Sequence, residues 1–384
     1  MAGTSVTMRR WTAALTLGIG ACLAGTAWAE TVVKPLVELG TETRYDDDPY
    51  LNGKGEVFSK VSPKLGGTVD NERLSLEGWY AADVIYKAVA QEPELDHRAA
   101  VKLSAKLTHR LTLKSDLELW RVEDPTSLPR TGLAAVPVPI FYSTAGVGLD
   151  ELLAPRWTLQ LRDRNEVARI FKGDLPTTFT QTPSLALRFE LTHRDVVTLG
   201  YRYQAFLALP RVVGQTHAGI LSIDHQLSKT WHVYARGGPM AYLDGFYGRS
   251  KLMPVGEAGA GWHGALSELD LLVGHDVAGA AGYAAAVWTD YAELDWAVHP
   301  LKKVTFYLGG GAFRNGAAPD GPLEVWGYSG GAGVGYAVTP TLQARLDAQR
   351  IHQVATGAQA LVGLNRNIVG VQLHWVPTFM PREL

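Results

Sequence analysis

Apolar and polar residues alternate one by one along most of this sequence, and that alternation limits the folds open to it. In Leu111-Thr112-Leu113-Lys114-Ser115-Asp116-Leu117-Glu118-Leu119 the odd positions are mostly Leu and the even ones polar. The runs from Trp157 to Arg162, Leu185 to Leu191 and Val197 to Tyr203 repeat the pattern. A period of two gives a β-strand one apolar and one polar face. No helical period appears after the N-terminal segment. No later run reaches the roughly 18 unbroken apolar residues that a spanning helix needs.

The apolar faces need a partner, and composition indicates which. Hydrophobic residues make up 46% of the chain and charged residues only 19%, against roughly 25% charged in soluble domains. Mean hydropathy is −0.02. That is too low for a bundle of membrane helices, and the charge is too sparse for a soluble domain. A barrel with one face to lipid and one to water averages near zero in this way. A soluble sandwich would have to hide the same Leu faces in a second sheet. The net charge of −2 leaves no basic footprint for nucleic acid. The single Cys, Cys22, excludes a disulfide framework and a cysteine metal cluster.

Residues 1–29 read as a signal peptide. Arg9 and Arg10 form its positive start, an apolar run follows from Trp11 to about Gly25, and Ala27-Trp28-Ala29 is a small-x-small cleavage site. Ile19-Gly20-Ala21-Cys22 loosely resembles a lipobox, but the later site is the better one. The expected mature domain is 30–384, a single barrel without cysteine.

Short polar turns recur between the alternating runs. They include Leu107-Thr108-His109-Arg110, Leu191-Thr192-His193-Arg194, Leu227-Ser228-Lys229-Thr230 and Val338-Thr339-Pro340-Thr341. From Thr192 onward they return about every 36 residues, one hairpin each time. Longer Gly- and Pro-rich connections lie between them, as at 123–139 and 244–251. Short turns at one end and long loops at the other mark an all-β, transmembrane antiparallel barrel of about 18 strands. The stretch 123–155 leaves 16 strands open.

Aromatic residues mark the strand ends. Trp157, Trp231, Trp296, Tyr336 and Trp375 lie beside the short turns. Trp120, Phe206, Tyr242, Tyr283, Phe313 and Trp326 lie beside the long loops. The expectation is two girdles, one at each membrane interface.

The polar phase should face the lumen. It carries Lys102, Lys106, Lys114, Asp116, Glu118, Arg162, Arg164, Glu166, Arg188, Glu190, Arg202, Asp224, Arg236, Glu293, Asp295, Arg345 and Asp347. Both signs are interspersed, whereas an ion-selective pore would show rings of one sign. The pattern suggests a neutral or weakly charged polar solute. Trp79, Trp120 and Tyr234 share the inward phase and are candidates to stack on sugar rings.

Other motifs carry less. Gly327-Tyr328-Ser329-Gly330-Gly331 matches G-x-S-x-G, but that motif needs a strand-turn-helix context and His and Asp partners. No His pair has the H-E-x-x-H spacing of a zinc site. Asp46, Asp47 and Asp48 could bind Ca²⁺, although an acidic loop is more often simply solvated. No catalytic residue, metal or cofactor is expected.

Three features resemble outer-membrane β-barrel proteins associated with exopolysaccharide synthesis and secretion. They are Glu42-Thr43-Arg44-Tyr45-Asp46-Asp47-Asp48-Pro49, the hairpin from His97 to Leu113, and the closing strand from Asn365 to Trp375. Gly370 to Trp375 is similar to a C-terminal insertion signal, although the chain runs on past Trp375, where Phe379 could serve instead. The resemblance implies a porin-like channel for export of exopolysaccharide, with outer-membrane lipid, the barrel-insertion machinery, polysaccharide and periplasmic export components as partners. A nutrient-uptake porin, a barrel-borne lipid hydrolase and a structural or adhesive barrel closed by the 123–139 loop are the alternatives.

Overall fold

The computed structural model describes residues 31–49, 52–89, 91, 93–123, 139–171, 175–245, 248–279, 286–318, 324–356, 363–377 and 382–383. Residues 1–30, Tyr283, Phe379 and nearly all of the 123–139 loop lie outside these. Among the described residues every regular element is a strand. The first six are β1 (Val32–Asp46), β2 (Glu56–Asp70), β3 (Leu74–Lys87), β4 (Pro93–Lys106), β5 (Leu111–Val122) and β6 (Ile140–Ala154). Next come β7 (Trp157–Ile170), β8 (Thr178–Glu190), β9 (Asp195–Ala208), β10 (Arg211–His225), β11 (Trp231–Asp244) and β12 (Ser250–His263). The chain continues through β13 (Ser267–Gly279), β14 (Ala286–Leu301), β15 (Val304–Ala317), β16 (Glu324–Thr339), β17 (Leu342–Thr356) and β18 (Leu364–Trp375).

Each strand pairs antiparallel with the next, and β18 returns to β1 from Leu39↔Trp375 to Asp46↔Ile368. Eighteen strands therefore close a barrel, and the alternative of 16 falls. Closure removes the two free edge strands of an open sheet, which a chain in lipid cannot tolerate. The stretch after residue 139 forms β6, paired on both sides. A two-residue β19 (Arg382–Glu383), absent from the sequence reading, lies against Val32 and Val33 and extends the partner of β1 below the end of β18.

The recurring turns share one device. The side chain of Thr108 accepts hydrogen bonds from the backbone N–H of Arg110 and Leu111 (3.1 and 3.0 Å). Thr192 does the same for Arg194 and Asp195, and Ser228 for Thr230 and Trp231. Asn71 serves Arg73 and Leu74. A short hydroxyl or amide side chain thus replaces the missing ladder partner at the reversal.

The outward face is apolar. Leu199 is 63% exposed, Leu65 60% and Val273 54%. A closed barrel with such a face spans a membrane. Trp157, Trp231, Trp296 and Trp375 project outward at the short-turn end; Trp157 stacks on Phe189 at 4.3 Å and Trp231 on Trp262 at 6.0 Å.

The girdle expected at the other end needs correction. Trp120 lies in register with Arg98 and Tyr142 on the polar face. Phe206 and Tyr242 are buried inside, and Phe313 shares the inward phase of Tyr291. Among the described members of that set only Trp326 is exposed outward, in the company of Tyr45 and Tyr86. A ring at a strand end can point either way; its phase along the strand decides.

Candidate functional site

The ladder carries one inward face around the barrel. Lys102 stands opposite Asp116, and Lys106 opposite Thr112. Lys114 lies 3.0 Å and Arg162 2.5 Å from the carboxylate of Asp150. Glu118, Thr144 and Glu166 follow one another across β5, β6 and β7, with Arg164 two pairs along on the same face. Arg188 pairs with Glu190 at 3.2 Å, Asp224 with His232 at 3.0 Å, Arg236 with Glu257 at 2.9 Å and Arg345 with Asp347 at 3.7 Å. Glu293 and Asp295 stand opposite Leu272 and Asp270.

Charge is less evenly mixed than the sequence suggested. Glu257, Glu268, Asp270 and Asp276, absent from the sequence candidates, join Glu293 and Asp295 along the lumen cavity. They make β12–β14 chiefly acidic, while Arg162, Arg164, Arg188 and Arg202 project from β7–β9. Asp270 directly faces Asp295, an unfavourable like-charge pair in which both carboxylates face the lumen. Even spacing from Glu268 to Asp276 was the available signal, blurred by the unbroken Leu271-Leu272-Val273.

The lumen is narrowed by its own wall. Pairing between β12 and β13 stops at Gly256↔His275, yet β13 stays paired with β14 out to Gly279↔Ala286. The free end of β13 leans across the barrel. Arg202 of β9 donates two hydrogen bonds to Asp276 of β13, at 2.8 and 2.6 Å, although three strands separate them along the wall. Gly279 lies so close to β8 that a Cβ there would come 2.5 Å from the Thr180 hydroxyl. Behind this chord Phe206, Met240, Tyr242, Met253, Val255 and Val277 form one buried apolar cluster. What remains is a lumen cavity of about 1250 Å³.

A second cavity of about 430 Å³ sits at the long-loop end, lined by Phe58, Asp83, Asp96, Arg98 and Trp120 among others. Arg98 bonds Asp83 at 2.9 Å and lies 5.7 Å from the Trp120 ring. Glu123, just beyond β5, has its carboxyl pushed up by burial. Of the other stacking candidates, Trp79 lies beneath Lys64 at 4.8 Å, and Tyr234 donates to Glu257 at 3.0 Å.

Two sequence motifs resolve differently. Ser329 sits in mid-strand on β16, opposite Gly311 and Ile351, without the turn a nucleophile elbow requires. The aspartates at 46–48 diverge rather than converge. Asp46 is fully buried against Arg366, whose Nε lies 3.1 Å from its Oδ2. Asp47 accepts from the backbone and side chain of Asn367 (2.7 and 2.5 Å), and these bonds hold its carboxyl below the ordinary range. Asp48 accepts from the N–H of Gly53 at 2.8 Å. Among the described residues no group of three or more His, Cys, Asp or Glu could hold a metal ion.

No family model matches this sequence, and no curated protein matches it. Solved structures do. Pseudomonas aeruginosa OccK2 (OpdF) in complex with glucuronate is similar at a TM-score of 0.50 and 11% identity, over 90% of this chain and 99% of that one. Acinetobacter baumannii OccAB2 follows at 0.46 and 12%, over 90% and 98%. At such identity the likeness is one of fold: an 18-strand antiparallel barrel.

Proposed function

We propose that this chain is a passive channel of the bacterial outer membrane that admits small hydrophilic solutes. One observation carries the reading: a polar, ion-paired inward face is narrowed by the Arg202–Asp276 chord rather than left wide. A solute crosses by size and by brief exchange of hydrogen bonds with the charged wall. Nutrient uptake fits this better than export of polysaccharide, because side chains fastened across the lumen suit a small molecule better than a threading polymer. The leader at 1–29 and the insertion machinery would bring the chain to that membrane.

Liposome swelling tests the size limit. Monosaccharides and glucuronate, the ligand of the OccK2 structure, should enter, and long oligosaccharides should not. Equal entry of both would reject the reading. Direction is tested by gene deletion: solute uptake should fall while surface polysaccharide stays unchanged.

A further inference from the structure

The break between β12 and β13 is open to use by a different class of molecule. On the lipid-facing side, at the fork where pairing stops, lies a groove of about 830 Å³. Its floor is made of small residues, among them Ala235, Gly256, Ala258, Ala292 and Ala312, and Trp326 and Tyr328 stand at its side. Register places Ala258, Ala292 and Ala312 in the outward phase, with the exposed Val273. The groove therefore faces the bilayer, with Asp290 and Arg314, in the same outward phase, at its long-loop end at headgroup level.

The groove backs directly onto the interior. Arg236, Glu257, Tyr291, Ala292, Phe313 and Tyr328 line both it and the lumen cavity. A wall one strand thick is all that separates them. Directly beyond the fork, residues 252–255 of β12 and 276–279 of β13 are not paired to each other. Parting them breaks no ladder hydrogen bond, unlike parting two strands where the ladder runs on. The cluster packed behind the break is apolar and soft: Met240, Met253, Val277 and Phe206. Methionine adapts to irregular apolar guests. A hydrophilic solute gains nothing from such a lining, whereas an alkyl chain does. On the lumen side Tyr234, Tyr291, Arg236 and Glu257 form a hydrogen-bonded group within reach of the fork, suited to a polar head.

We propose that the β12–β13 break is a lateral portal, through which single-chain amphiphiles pass between the lumen and the bilayer. The tail follows the small-residue groove and the methionine cluster, and the head follows the charged group on the lumen side. This function goes beyond the hydrophilic channel and rests only on the barrel standing in a membrane.

The test uses the full chain in lipid nanodiscs and an alkyl phosphocholine with a diazirine near its tail end. After illumination, adducts are mapped by peptide mass spectrometry. Adducts are expected on Met240, Met253 and Val277 inside as well as on Val273 and Ala292 outside. Ala258→Trp, which fills the groove from the lipid side, should bring the inner adducts down to background while labelling of Leu199, elsewhere on the lipid face, persists. Ala292→Phe gives the same reading if the first variant does not assemble. Adducts confined to lipid-facing residues in the parent protein would overturn the portal. So would inner labelling that survives a filled groove. If either result came with normal solute permeation, the portal would fail while the hydrophilic channel stood.

Discussion

Two seams of this barrel invite comparison. The seam between β18 and β1 joins residues more than 300 positions apart, and that between β12 and β13 joins neighbours through a short turn. Both hold eight register pairs. The first is fastened at its long-loop end: Asp46 and Arg366 are 0% and 1% exposed and paired, with Asp47 and Asn367 bonded just beyond. The second opens at the same end. Its next register positions would oppose Val255 to Asp276 and Pro254 to Val277. Pro254 brings no N–H to a ladder, and proline in a sheet belongs at an edge. Asp276 is drawn across the lumen by Arg202 instead. Nearness in sequence did not decide which seam is fastened at its long-loop end; the chemistry there did.

That comparison can be broken most forcefully at Arg366. Arg366→Met leaves the Asp46 carboxylate buried without its cation, at a cost of about 3–5 kcal/mol. Urea unfolding in lipid vesicles should show it. A loss below about 1 kcal/mol, the worth of an exposed pair, would mean that the first seam does not depend on its fastening.

The second seam is probed at Asp276. Asp276→Asn weakens a charge-assisted bidentate contact by about 1.5 kcal/mol, which shifts the balance toward a released β13 end on the order of tenfold. Single-channel conductance in planar bilayers should rise. Unchanged conductance would show that another element sets the narrowing.

Two smaller effects sharpen the contrast. Trp296 donates to Ser267 at 2.8 Å and ties the base of the β13–β14 hairpin below the break. Trp296→Phe should cost about 1 kcal/mol in the same unfolding assay without altering conductance. A matching change in conductance would join base and tip into one moving unit. Asp47→Asn should act least, and only above the acid range. The folded carboxyl titrates below its unfolded value, so its contribution is present above the unfolded pKa and is lost as pH falls through the folded one. Parent and variant should differ in thermal unfolding at neutral pH and converge on acidification; a gap that persists in acid would rule out the carboxylate as its source.

Much of this barrel was legible because alternation is local. The leucines at 111–119 fix which face of β5 meets lipid, and the hydroxyl turns at Thr108, Thr192 and Ser228 fix where strands reverse. Pro254 was also a legible sign, since a proline inside an alternating run demotes a strand to an edge. The aromatic residues misled: Phe206 and Tyr242 stand at strand ends but face inward, where they fill the space behind the chord.

The sequence by itself determined that strands form, which phase meets lipid and that the sheet must close, because a two-residue period and the lack of backbone partners in lipid act strand by strand. Only the tertiary structure decided that β13 leaves its neighbour, that Arg202 reaches Asp276 across three intervening strands, and that acids gather on β12–β14. Those facts depend on which residues meet across the width of a closed barrel, and no local period records that distance.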